Sequence, residues 1–168
     1  AVTLGADCVM LSEETAMGKY PIETITNMRK VITYTQEHIP AGVLERPVIL
    51  HEVSGAISST AVSLAKELHA QAIVAETKSG ATAHYIAAHR PRRPLLSVTS
   101  DERVAQQLAL LYANKSFLRP DGERAGLELA QGLAEAGYIH SPATIVLVGG
   151  RQPGVKGTTD TIRVRTIE

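Results

Sequence analysis

The chain has 168 residues, 44% of them hydrophobic, which suits one compact domain or one domain with an appendage. Its 17 basic and 17 acidic side chains cancel, which excludes a general polyanion binder, since that would need a basic excess or stripe. A single cysteine, Cys8, rules out an intramolecular disulfide framework, no apolar run approaches the roughly 20 residues needed to cross a bilayer, and the lack of Trp disfavours base stacking. With no charged-then-apolar leader and no opening methionine, the sequence reads as a cytosolic α/β piece of something larger that contacts neither nucleic acid nor membrane.

The elements fall into two unequal parts. The first, 1–39, holds a short apolar run, Cys8–Leu11, read as a strand with Cys8 in the core. A polar loop, Ser12–Lys19, follows. Pro21 then occupies a favoured first-turn position for a helix over Ile22–Glu37, with Ile22, Ile25, Met28 and Ile32 on one face. Pro40 and Gly42 end that helix, and 40–47 is the expected linker.

The second part, 48–168, alternates helix and strand. Val53, Ala56, Ile57, Thr60, Ala61, Leu64 and Leu68 step at helical spacing. Ala72–Ala75 is a buried-strand run, followed by Thr77–Thr82 and a helix to about His89. A turn, Arg90–Pro94, leads to a second strand, Leu95–Val98, and Asp101 caps a helix to about Leu110. Lys115–Leu118 is a weaker strand. A helix over Glu123–Glu135 stops at Gly137, a good residue just past a helix end. Thr144–Val148 is the strongest strand, and after a Gly-rich loop Thr161–Ile167 closes the chain with period-two alternation. Alternating strands and helices imply parallel strands with right-handed crossovers. The last connection has no helix, so the last strand is antiparallel. The expectation is a three-layer α/β fold: a mostly parallel sheet of about five strands, the last antiparallel, with helices on both faces.

Three segments carry candidate chemistry. Thr77-Lys78-Ser79-Gly80-Ala81-Thr82 follows a parallel strand and opens a helix, where ligands of open α/β sheets gather. Free N–H groups at the helix start favour a phosphate, Lys78 adds charge, three hydroxyls add donors, and Gly80 permits close approach. The competing reading is an ordinary strand-to-helix turn with a Ser cap. The second segment, Gly149–Thr159, also follows a buried strand and brings Arg151 and Lys156. It shares a rim with the first if their strands are neighbours; otherwise it is a flexible connection. Neither loop matches a dinucleotide fingerprint or a Walker loop. The third, Gly5–Ala16, places Ser12, Glu13, Glu14 and Thr15 after a strand, as barrel active sites do, although a capped and solvated turn explains the spacing as well. The six histidines (38, 51, 69, 84, 89, 140) show no metal spacing, Arg90–Pro94 reads as solvated surface, and no nucleophile–base–acid set is present.

Gly5-Ala-Asp-Cys-Val-Met-Leu-Ser-Glu-Glu-Thr-Ala16, then Gly18-Lys19-Tyr20-Pro21, closely resembles the last strand and loop of the pyruvate kinase barrel. Thr77–Thr82, Arg90-Pro91 with Pro94, and Gly157–Val164 resemble landmarks of that family's C-terminal domain. The commoner family form has Gly at Glu13 and Asn at Asp160. The resemblance implies a C-terminal fragment: 1–39 a remnant of the last barrel unit, 48–168 the effector and assembly domain, and the rest of a pyruvate kinase chain as its natural partner. The parent reaction moves phosphate from phosphoenolpyruvate to ADP with Mg²⁺ and usually K⁺, on groups carried by earlier barrel strands. Ser12, Glu14 and Thr15 are then supporting remnants without the groups they support, and the fragment alone is expected to be inert and to bind no metal.

The resemblance further implies a phosphorylated allosteric effector held by Thr77, Lys78, Ser79, Gly80 and Thr82, with a closing loop of Arg151, Lys156 and Gly157. That loop carries Arg-Gln-Pro where the animal form has Trp-Arg-Pro and is longer, so fructose 1,6-bisphosphate, a sugar monophosphate and AMP all stay open as effectors. The alternative is an oligomerisation module with a vestigial or absent effector site, because the family's tetramers use these domains at one interface. A homo-oligomer in the cytoplasm is expected on either reading.

Overall fold

The computed structural model describes residues 1–38 and 52–168. They fall into two units, Ala1–Arg46 and Pro47–Glu168. The expected linker, 40–47, lies outside the described residues, as does His51.

The first unit holds a 3₁₀ turn at Val2–Leu4, a one-turn helix α1 (Glu13–Ala16) and a long helix α2 (Pro21–His38). Pro21 opens α2 as expected, and the helix reaches one residue further at its end than the periodicity indicated. The strand expected at Cys8–Leu11 does not form, and Cys8 is exposed rather than core. A strand needs a neighbour to take its N–H and C=O groups, and no strand lies among the described residues of this unit. On the apolar face of α2, Ile22 is 70% exposed while Met28 and Ile32 are half-buried.

The second unit is a five-stranded sheet with helices on both faces. Its elements are α3 (Val53–Glu67), β1 (Ala72–Glu76), α4 (Ala81–Ala88), β2 (Leu95–Thr99), α5 (Glu102–Leu108), β3 (Asn114–Leu118), α6 (Ala125–Glu135), β4 (Ala143–Gly150) and β5 (Thr159–Ile167). The strand order is β3-β2-β1-β4-β5. The first four strands are mutually parallel and β5 runs antiparallel to β4, as the helix-free connection implied. Ile73 sits beside both Leu95 and Val146, so the central strands share one register of large apolar residues.

Those strands are apolar on both faces because both faces are covered. On one face Ile73, Leu95, Val146 and Val148 pack with Ala61, Ala65, Ala83, Ile86 and Leu108 of α3, α4 and α5. On the other, Val74, Leu96, Val98, Ile145 and Leu147 pack with Leu129 and Ala130 of α6. Helix α3 presents Gly55, Ser58, Ala61 and Ala65 to this core, while Val53 at its start is 70% exposed. Small side chains let the helix lie close to the sheet, and Ile57 and Leu64, which periodicity also marks, pack half-buried against the same core.

Local chemistry fixes the helix ends. The Asp101 carboxylate accepts the Val104 N–H at 3.1 Å and caps α5. Helix α6 ends as Gly137 takes φ 77°, with its N–H on the Ala134 carbonyl at 2.9 Å and the Tyr138 N–H on the Leu133 carbonyl at 2.8 Å. This paired closure needs the left-handed conformation that glycine adopts without steric cost.

Candidate functional site

The chain leaves β1 for β2 on one side and returns to β4 on the other, so the connections part at the carboxyl ends of β1 and β4. Ligands of open α/β sheets bind at such a switch point. A cleft of about 210 Å³ opens there, lined by the end of β1, the loop Thr77–Ser79, the loop Arg119–Gly122 and the loop after β4. The two glycine-bearing loops therefore do share a rim, because β1 and β4 are hydrogen-bonded neighbours.

The first loop turns sharply into α4. Gly80 is its N-cap at φ 87°, a conformation that strains any residue with a Cβ, and no side chain caps the helix. Thr77 accepts the Gly80 N–H on its hydroxyl at 3.0 Å, which folds the turn, and Ser79 is exposed on the cleft wall. The Ser-capped turn is therefore not what forms. Thr82 is 3% exposed, and its hydroxyl lies 2.7 Å from that of Thr159, tying the first turn of α4 to the start of β5. Lys78 donates to Ser100 and, at 2.7 Å, to Asp121. That hydrogen bond, aided by the Ser100 hydroxyl and the lysine's charge, holds the Asp121 carboxyl below its ordinary pKa.

The second loop contributes differently from expectation. Arg151 is outside the cleft lining. Its backbone N–H reaches Asp160 at 3.2 Å and its guanidinium lies 3.6 Å from the same carboxylate. Lys156 and Gly157 do line the cleft. Gly154 lies against Asp121, so closely that a Cβ on it would stand 3.0 Å from a carboxylate oxygen. The loop is also shorter than the sequence suggested, because β4 extends to Gly150 and β5 starts at Thr159.

Residues 55–165 match the family model described as "Pyruvate kinase, alpha/beta domain". The chain belongs to this family. It is 34% identical over 175 residues to "Pyruvate kinase 2" of Synechocystis sp., covering 100% of this chain and 29% of that protein. It is 36% identical over 170 residues to a pyruvate kinase of Agrobacterium vitis, covering 98% of this chain and 36% of that one. A pyruvate kinase of Mycobacterium intracellulare is 34% identical over 173 residues, covering 99% and 36%. The chain thus spans about a third of the length of the curated relatives it matches.

One residue of this pyruvate kinase domain was not singled out from the sequence. Glu76, the last residue of β1, lines the floor of the cleft with its side chain 16% exposed. It accepts the Gly126 N–H at 2.9 Å and an Arg163 guanidinium N–H at 2.6 Å. Burial raises its pKa against the opposing pull of those two partners. The available signal was a carboxylate ending an otherwise apolar strand. Its arginine lies 87 residues away, and only the sheet order brings the two together.

In the other unit, Ser12, Glu14 and Thr15 gather within one turn. The Glu14 carboxylate accepts the Ser12 N–H at 3.0 Å, and the Thr15 hydroxyl donates to the Ser12 carbonyl at 3.2 Å. Bonds from the Glu14 and Ser12 amides lower the Glu14 pKa. Among the described residues, no three His, Cys, Asp or Glu side chains are placed to hold a metal ion. No helix of the described residues is long and apolar enough to cross a membrane.

Proposed function

We propose that this chain is the C-terminal regulatory portion of a pyruvate kinase, the enzyme converting phosphoenolpyruvate and ADP to pyruvate and ATP, and that its cleft takes a phosphorylated effector. The observation that carries this is the start of α4. An uncapped helix N-terminus opens into the cleft beside Ser79 and Lys78, with Lys156 on the facing loop. Backbone N–H groups and the helix dipole attract a phosphate there, and Thr77, Lys78, Ser79, Gly80 and Thr82 are its holders. Gly157 and Lys156 belong to the loop that closes over the rest of the ligand, and Arg151 joins them only by leaving Asp160. Ser12, Glu14 and Thr15 play a supporting part in the parent active centre, so the chain alone forms no pyruvate. Calorimetric titration with sugar phosphates and AMP tests the reading. Binding by the wild type, lost in S79A/T82A, supports it; no heat at millimolar ligand overturns it.

A second reading, subunit assembly in a cytoplasmic homo-oligomer, is favoured by β5. This edge strand of the sheet spans Thr159–Ile167 and carries a partly exposed Val164. Open edges of this length invite pairing with a second chain. A monomer at micromolar concentration in light scattering would count against it.

A further inference from the structure

We infer that the cleft is built for a single phosphate on a hydroxyl-bearing body, and that Asp121 is the residue that turns away a second phosphate. This rests on the effector reading above and narrows it. The charges lining the cleft are Lys78, Arg119 and Lys156 against Glu52, Glu76 and Asp121. Glu76 is matched from behind by Arg163, and Asp121 is matched by Lys78. What remains is two rim cations against Glu52, whose carboxylate accepts the Tyr85 hydroxyl at 3.1 Å. One phosphate monoester, at about −1.5 to −2 near neutral pH, suits that residue of charge. A bisphosphate brings twice as much, and Arg151, the further cation of the closing loop, lies outside the lining on Asp160.

Position makes the case sharper than charge counting. Lys78 has three N–H donors, of which Ser100 and Asp121 take two, leaving one for an anion at the start of α4. Asp121 stands between this lysine and the closing loop, with Gly154 against it. A ligand anchored at α4 and reaching towards the closing loop passes Asp121. A sugar hydroxyl can donate to that carboxylate, which has about four acceptor sites and keeps some beyond its lysine bond. A second phosphate there faces a like charge.

The test is a matched pair, fructose 6-phosphate and fructose 1,6-bisphosphate, titrated into the full chain by calorimetry, with inorganic phosphate as a third probe. The expected result is at least about tenfold tighter binding of the monophosphate, with D121N cutting that preference by about tenfold. Equal or tighter binding of the bisphosphate to the wild type overturns the inference while leaving the effector site standing. So does an unchanged preference in D121N. Silence from all three probes overturns this inference, and the effector reading falls with it only if AMP gives no heat either. The wild-type comparison decides the matter even if the variant fails to fold.

Discussion

Arg163 on β5 and Glu76 on β1 meet across a strand that separates them, with Nη2 2.6 Å from Oε2. The intervening strand is β4, and the residue beneath the ion pair is Gly149. A Cβ there would stand 2.8 Å from Glu76 Oε2, and one on Gly126 of α6 would stand 2.8 Å from Oε1. Two glycines therefore form the slot that holds the carboxylate, and the ion pair binds the sheet edge to the cleft floor.

Replacing Arg163 by Met leaves a mostly buried carboxylate with the Gly126 N–H as its remaining partner. Breaking a fully buried pair costs about 3–5 kcal/mol. Because the arginine is one-third exposed, the expected loss is smaller, about 2 kcal/mol. Urea unfolding of R163M measures it. A change within experimental error would mean that water serves Glu76 as well as the arginine does.

Glu76 also sets a pH dependence whose sign follows from burial. Its folded-state pKa lies above the ordinary 4.5, so between those two values the folded chain holds more protons than the unfolded one. Its contribution is fully present below 4.5 and is lost as pH rises through the folded value. E76Q, which cannot titrate, should remove this decline, leaving a flatter stability profile above pH 4.5. Thermal melts of both proteins across that range check it, and parallel profiles would assign the decline elsewhere.

Most of the fold was legible because its signals are local. Apolar runs such as Ala72–Ala75 and Thr144–Val148, the cap at Asp101 and the stop at Gly137 each act within a few residues of themselves. That the loops around Ser79 and Lys156 line one cleft was legible for the same reason, since each loop follows a readable strand. What escaped depends on long-range partners. Lys78 and Arg151 read from the sequence as cations near a ligand, and only the fold sets Asp121 beside the first and Asp160 beside the second. The run at Cys8 has strand composition, yet composition does not supply a neighbouring strand.

Gly149→Ala provides a direct test of the slot. In a strand interior alanine normally does no worse than glycine, so propensity alone forecasts no loss. Here the added methyl meets a carboxylate held by two hydrogen bonds, and over-packing of this kind costs about 1–3 kcal/mol. G149A should therefore unfold at lower urea concentration than the wild type. In an E76S background, where the obstructing carboxylate is gone, the same change should cost little. An equal cost in both backgrounds would place the strain somewhere other than at Glu76.

Lys78→Met separates folding from recognition. The Lys78–Asp121 pair is partly exposed, with side chains 28% and 38% accessible, and such pairs contribute at most about 1 kcal/mol. What it does contribute is present above the ordinary aspartate value of 3.8 and fades as pH falls through the lowered folded value. K78M should therefore melt close to the wild type, while the Asp121 carboxyl, freed of its strongest hydrogen bond, titrates at higher pH in a carbon-detected NMR experiment. The stabilisation gained from a bound sugar phosphate should disappear in the same variant, because the one N–H that Lys78 has left for an anion goes with it. A variant that melts far below the wild type would show Lys78 to be a structural clamp between the two loops, and retention of the ligand-induced stabilisation would move the phosphate away from it.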